Sequence, residues 1–372
     1  MNWHTLRIAI VGPLPPPAGG MANQTRQLAE LLGAEGASVE VVQVNPPYRP
    51  AWVARLKGLR ALFRLVPYGF RLWRAFGRAD LVHLMANSGW SWHLFAAPAI
   101  WLARLRGVPV VVNYRGGEAG RFLTRHARWV RPSVRRAAAL VFPSGFLVDV
   151  FACHGMHGRI VPNVVNTERF RADAAREPNF DAPHIVVARN LETIYGNDLA
   201  IEAFAHIVAA RPGARLSIAG SGPERAALAA LAERLGVADK VSFTGKLDHA
   251  QMADLYRSAD LVLNPTRADN MPNSVLEALA SGLPVVCARV GGVPYLVEHR
   301  KTALLVEPDD ARALADAALE LLADPELARR LGRNGCEQVQ AYRWEAVRDR
   351  LAAVYQDALA SVVTRRGGRA WE

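Results

Sequence analysis

Two acidic side chains, Asp269 and Glu277, stand eight residues apart in the run Leu261-Val262-Leu263-Asn264-Pro265-Thr266-Arg267-Ala268-Asp269-Asn270-Met271-Pro272-Asn273-Ser274-Val275-Leu276-Glu277. The order is a strand end, an acidic loop and a helix start. In an open α/β sheet, ligands sit beyond the carboxyl ends of the strands, and the unpaired N–H groups of a helix start favour phosphate. Asp269 in the loop and Glu277 roughly a turn inside the helix can therefore point into one crevice. Carboxylates there accept hydrogen bonds from sugar or ribose hydroxyls, and the backbone amides of Asn273, Ser274 and Val275 can hold a diphosphate. A charge at a helix N-terminus and an ordinary surface glutamate would show the same spacing.

The run continues Ala278-Leu279-Ala280-Ser281-Gly282-Leu283-Pro284-Val285-Val286. The whole block resembles the signature of family-4 retaining glycosyltransferases of the GT-B architecture, and the resemblance extends over most of the chain. It implies an α/β fold of two Rossmann-like domains facing across a cleft, with the C-terminal helix returning to the first. It also places Glu277 on the donor ribose and Asp269 before the transferred sugar. Asp269 stands where that family usually carries Glu, and Asn270 where it carries Gly.

The same resemblance gives Arg189, at the end of the strand His184 to Ala188, the donor diphosphate as its ligand. A departing nucleoside diphosphate needs fixed cations or a metal, so an arginine there has a chemical reason. Six residues on, where the family has Lys, stands Tyr195. Its hydroxyl can substitute as donor, an arginine of the first domain can contribute, or activity is lost. Gly19-Gly20, between a strand and a helix, would let backbone approach donor or acceptor closely, or is only a rigid turn after three prolines. Ser221-Gly222 and the turn ending at Leu247 resemble segments that frame the nucleotide base, and read equally as tight turns. Arg115 takes the place of a family histidine in Asn113-Tyr114-Arg115-Gly116-Gly117-Glu118, and His83 and Asn87 lie at another strand end. His83, Asn87, Arg115 and Glu118 are thus the candidates on the acceptor side.

These residues need a scaffold of strands and crossover helices. Apolar β-branched runs alternate with longer amphipathic stretches, which predicts parallel sheets. Five strands are readable in the first half, at 7–11, 38–44, 81–84, 108–112 and 139–142, and six in the second, at 184–188, 214–219, 240–244, 261–264, 284–288 and 303–306. The reading places an acceptor-side domain at 1–170, a linker at 171–183, a donor domain at 184–343 and a returning helix with tail at 344–372. The linker rests on two prolines and a missing apolar period.

Composition sets the outer bounds. The 372 residues carry a net charge of +11, unevenly placed: residues 1–177 hold 23 Lys/Arg against 9 Asp/Glu, and the remainder 22 against 25. The first domain is the one to meet an anionic surface. Within Tyr48 to Arg78 there are eight cations and no acid, and Trp52, Leu56, Leu59, Phe63 and Val66 recur at helical spacing, reading as a membrane-surface helix or a core helix with outward arginines. The three cysteines are widely separated, no export segment is visible, and no run of 18 apolar residues exists. Nor is there an acidic cluster of DxD type, so neither metal nor cofactor is expected.

The function implied is transfer of a sugar from a UDP- or GDP-linked donor to a lipid-linked or polysaccharide-precursor hydroxyl. The expected location is the cytoplasm, peripheral on the inner membrane face, with no nucleic-acid partner. A nucleotide-sugar epimerase of the same fold and a catalytically degenerate sugar-binding scaffold are the alternatives.

Overall fold

The computed structural model describes residues 1–16, 19–47, 60–173 and 176–367. Two compact units divide the chain: Met1–Asn163 with Val347–Glu372, and Val164–Ala346.

The first unit runs β1 (Arg7–Gly12), α1 (Gly20–Ala34), β2 (Ser38–Gln43), α2 (Arg60–Phe76), β3 (Leu81–Ala86), α3 (Ala97–Arg106), β4 (Val110–Tyr114), α4 (Ala119–Val134), β5 (Ala139–Phe142), α5 (Gly145–Ala152) and β6 (Arg159–Ile160). All strand pairs are parallel, in the order β2-β1-β3-β4-β5-β6. β3 is buried along its whole length, as a parallel strand covered on both faces must be, which is why Leu81 to Ala86 reads as a near-continuous apolar run. The sixth strand was not expected: it has two exposed residues, too few to show a period.

The second unit runs β7 (His184–Ala188), α6 (Asn197–Ala210), β8 (Arg215–Ala219), α7 (Arg225–Arg234), β9 (Val241–Gly245), α8 (His249–Ser258), β10 (Leu261–Asn264), α9 (Asn273–Ala280), β11 (Val285–Ala288), α10 (Val293–Leu296), β12 (Leu304–Val306), α11 (Ala311–Ala323) and α12 (Pro325–Val339). Its parallel order β12-β11-β10-β7-β8-β9 is that of a doubly wound Rossmann sheet. The six strands coincide, within a residue or two at each end, with those read from the sequence.

The last helix, α13 (Trp344–Gly367), buries Val347, Leu351, Val354, Tyr355 and Ala358, one stripe of helical period, and from Val347 onward belongs to the first unit. Tyr355 meets His83 of β3, hydroxyl to Nδ1 at 2.8 Å, and its ring lies edge-on to Trp3.

The described residues of 171–183 belong to the second unit. The second unit already begins at Val164, and Val165 and Phe170 lie in its core. Arg176 reaches the carboxylate of Asp260 at 2.5 Å and the Ala259 carbonyl at 2.7 Å. Asp260, 2% exposed, also accepts from the amides of Asn179 (3.0 Å) and His184 (2.8 Å). A strap held by hydrogen bonds to one buried carboxylate needs no apolar period, so its sequence looks like a linker's.

Candidate active site

The strand order of the second unit reverses between β7 and β10, and outside the carboxyl ends at such a switch point an open sheet leaves a crevice. Arg189 follows β7 and Asn264 ends β10. Arg189 donates from Nε to Asn264 Oδ1 at 2.8 Å, and its Nη1 lies 2.9 Å from Asp269 Oδ2. These side chains are only 10% and 17% exposed. The guanidinium sits 5.3 Å from the centroid of the Tyr195 ring, and its Nη2 is buried with no hydrogen-bond partner among the described residues. Arg189 and Asp269, assigned to different parts of a donor, are thus brought into direct contact.

Glu277 lies one turn inside α9. Burial pushes its carboxyl up to about 7, against the pull of the Tyr256 hydroxyl and the Arg189 charge. The same burial raises the Tyr195 and Tyr256 hydroxyls and pushes the Cys287 thiol up to about 12. The Tyr256 hydroxyl donates to the Ser274 carbonyl at 3.1 Å, bracing the first turn of α9. Pro272 caps that helix without a side-chain bond, leaving its N-terminal end to the backbone. Asn273 and Ser274 are half-buried there. The Val275 amide, however, donates to the Pro272 carbonyl at 3.2 Å, which removes it from the expected diphosphate-facing set.

Close backbone contacts set the loops around this centre. A Cβ on Gly220 would lie 1.9 Å from the Arg189 carbonyl, so only glycine lets the turn at Ser221 and Gly222 pack against the Arg189 segment. The Gly220 amide donates to the Gly245 carbonyl at 2.9 Å, joining this turn to the one that ends at half-buried Leu247. On the other side, Asp269 Oδ1 accepts the Met271 amide at 3.0 Å and the Asp269 carbonyl accepts the Gly292 amide at 2.9 Å. A Cβ on Gly292 would stand 1.7 Å from the carbonyl oxygen of Asn270, itself buried. Gly292→Ala is therefore expected to destabilise the protein by about 2 kcal/mol, the scale of forced overpacking, and to displace Asp269. Thermal unfolding checks the first effect and donor binding the second; an unchanged melting temperature would remove the constraint.

Four features here had no visible signal in the sequence. Three of them are Asn264, Tyr256 and Gly291-Gly292. The fourth is Arg267, which makes two bonds to Asp198 (2.9 and 2.8 Å), one to Asp309 (2.6 Å) and one to the Thr193 carbonyl (2.6 Å). It ties the Tyr195 turn to the Asp269 loop. Burial works to raise the Asp198 carboxyl, yet the Arg267 hydrogen bonds and charge hold it below its usual range.

In the first unit the sheet order reverses between β1 and β3. Gly19 caps α1 and Gly20 begins it; a Cβ on either would meet nothing within 4 Å. Asn45 braces the preceding loop through the Leu14 amide (2.9 Å) and carbonyl (2.8 Å). Asn87 is half-buried and accepts the Ser88 amide at 2.8 Å. Arg115 reaches Asn163 at 2.5 Å, and burial lowers its guanidinium to about 10.

One acceptor-side candidate is corrected. His83 is fully buried, its ring nitrogens engaged with Asn113 (3.1 Å) and Tyr355 (2.8 Å). Burial, helped by the Arg115 charge, pushes it down to about 3, so it is a neutral anchor for the last helix. Glu118 is exposed and pairs with Arg121 at 3.0 Å, an ordinary surface pair. Of the basic segment, residues 48–59, with Trp52, Leu56 and Leu59, lie outside the described residues. In α2, Phe76 turns into the core beside Tyr68, Leu72 and Ala75, whereas Phe63, Val66, Phe70 and Trp73 are exposed. Among the described residues no helix is long and apolar enough to cross a membrane, and no group of three His, Cys, Asp or Glu could hold a metal.

Two doubly wound Rossmann-like units are the architecture of the GT-B fold. The chain belongs to glycosyltransferase family 4: residues 18–169 match the model of Glycosyltransferase Family 4 and residues 169–338 that of glycosyl transferases group 1. It is 30% identical to the D-inositol 3-phosphate glycosyltransferase of Segniliparus rotundus, over 92% of this chain and 85% of that protein. It is 29% identical to a GDP-mannose-dependent alpha-(1-6)-phosphatidylinositol monomannoside mannosyltransferase of Mycobacterium tuberculosis, over 93% and 96% of the two chains. Similar solved folds are the sucrose-phosphate synthase of Thermosynechococcus elongatus (TM-score 0.77, 22% identity, 96% and 100% of the chains) and Anabaena HepE with UDP and glucose (0.74, 18%, 94% and 99%). The protein is a glycosyltransferase.

Proposed function

We propose that the chain moves a sugar, with retention at the anomeric carbon, from a UDP- or GDP-linked donor to a hydroxyl of a lipid-linked or polysaccharide-precursor acceptor. The observation that supports this best is Arg189, fixed by Asn264 and Asp269 and left with an unsatisfied buried donor group at the switch point. A leaving diphosphate supplies the acceptor that Nη2 lacks, and a cation already oriented costs no reorganisation as negative charge develops. In this reading Asp269 accepts from a hydroxyl of the transferred sugar, Glu277 from the donor ribose, and the start of α9 from Asn273 and Ser274 faces the diphosphate. Tyr195, stacked beside Arg189, adds a hydroxyl donor where a lysine would have added charge.

A lipid-linked acceptor agrees with the basic, aromatic stretch Tyr48 to Arg78, which suits an anionic membrane surface at the inner face, and with the phosphatidylinositol mannoside substrate in the name of one relative. Arg189 supplies the charge stabilisation, so transfer is expected to need no metal. A thermal-shift screen of UDP, GDP and their sugars identifies the donor, and transfer assays with and without EDTA follow. Turnover abolished by EDTA and restored by Mn²⁺ would count against this mechanism. Release of an epimerised nucleotide sugar without any acceptor would overturn the transfer reading altogether.

A further inference from the structure

Among the described residues, most exposed large apolar side chains of the first unit gather on α2, α3 and α4, with Met1, Trp90 and Ile160 elsewhere, and these three helices contain no Asp or Glu. On α2, Phe63, Val66, Phe70 and Trp73 follow at steps of three, four and three, opposite the buried Tyr68, Leu72, Ala75 and Phe76. α3 packs beside both α2 and α4. It exposes Trp101 and Leu105, one turn apart, and α4 exposes Trp129; Leu105 and Trp129 are 73% and 61% accessible. Arginines join the three helices. Arg106 of α3 lies 4.3 Å over the Trp73 ring, and Trp101 Nε1 donates to Ser133 of α4 at 3.1 Å beneath Arg136, 3.8 Å from its ring. Arg71, Arg74, Arg104, Arg125 and Arg128 are exposed around them.

We propose that the α2–α3–α4 face docks on an anionic lipid bilayer. This deepens the lipid-linked-acceptor reading, on which it rests, and moves the docking element from one basic segment to a surface built by three helices. Charge complementarity selects an anionic partner. The aliphatic members select lipid: Val66 and Leu105, 63% and 73% exposed, offer nucleic-acid bases neither a stacking plane nor a hydrogen bond, whereas acyl chains accommodate both. Tryptophans under arginines suit the headgroup level, where an amphipathic ring meets lipid on one side and phosphate on the other. The arginines attract the surface at long range, and the apolar side chains enter it.

The test is sedimentation of the full chain with phosphatidylcholine vesicles, with and without phosphatidylglycerol, at low and high salt. Wild type is expected to bind only the acidic vesicles and to keep a fraction bound at high salt, where charge is screened. Joint replacement of Arg71, Arg74, Arg125 and Arg128 by Gln is expected to weaken low-salt binding at least tenfold, each nearby cation being worth on the order of fivefold. The pair Leu105→Ser with Trp129→Ser is expected to keep low-salt binding and lose the salt-resistant fraction. If that pair does not fold, Leu105→Ser alone carries the test. Wild-type binding by the Leu105/Trp129 pair while Val66→Ser with Phe70→Ser loses it would confine docking to α2 and overturn the proposal. So would equal binding to neutral vesicles, or tighter binding to single-stranded DNA. Nucleotide-sugar binding is measured on every variant: vesicle binding lost with donor binding intact concerns this surface alone, and the reverse result concerns the transferase reading alone.

Discussion

Arg189→Ala is expected to lower kcat/KM for sugar transfer by about 10- to 100-fold and to weaken nucleoside diphosphate binding by on the order of tenfold, because a charge-assisted hydrogen bond is worth about 1.5 to 3 kcal/mol. Arg189 is held from two sides, by Asn264 at 2.8 Å and Asp269 at 2.9 Å, so its charge is delivered at one place and in one orientation. Its removal also leaves Asp269, 17% exposed, without its cation, and deleting one partner of a largely buried pair destabilises by roughly 3 kcal/mol. Unfolding must therefore be measured alongside kinetics. Arg189→Lys restores a charge without the planar fork and is expected to recover stability better than transfer. Asp269→Asn separates the roles further: it should spare nucleoside diphosphate binding and impair transfer. Wild-type kinetics in Arg189→Ala, with the fold intact, would remove this residue from the site.

The parts of this arrangement that were legible in sequence are those set by local periodicity. Six strands of the second unit could be placed because each is a short β-branched run bounded by turn residues, and Asp269 and Glu277 could be singled out because a strand end and a helix start point their flanking residues toward one sheet edge, whereas the role of Arg189 came from the family resemblance. What stayed hidden depends on contacts between distant segments. Asn264 matters because β10 is the sheet neighbour of β7, and Arg267 because Asp198 and Asp309 converge on it from far along the chain. Gly292 is required by a carbonyl 22 residues earlier in sequence, at Asn270. His83 misled for the complementary reason: a polar residue in an apolar strand looks functional until a returning helix supplies Tyr355 as its partner. The strap at 171–183 misled because the buried Asp260 that holds it lies some 80 residues further on.

With Glu277 on the donor ribose, as proposed, the site is expected to be sensitive to pH. Its folded carboxyl is pushed up to about 7, above the ordinary carboxyl value it has in the unfolded chain, so between those two values the native state holds a proton that the unfolded state has released. Stability from this group is thus present at acid pH and declines as pH rises through 7. Donor binding should run the other way. Ribose hydroxyls donate best to the carboxylate, and at pH below 7 the ligand must first displace a proton. The dissociation constant of a nucleotide sugar, whose diphosphate does not ionise in this range, is therefore expected to rise by as much as about tenfold per pH unit on the acid side of 7 and to level off above it. Glu277→Gln should flatten that dependence, and Glu277→Ala should weaken binding by on the order of tenfold at pH 8, where the wild-type carboxylate is formed. Calorimetric titrations of the nucleotide sugar between pH 6 and 8 on all three proteins measure this directly. A wild-type profile that is flat across 7, or one whose slope survives in Glu277→Gln, would show that this carboxyl does not hold the donor.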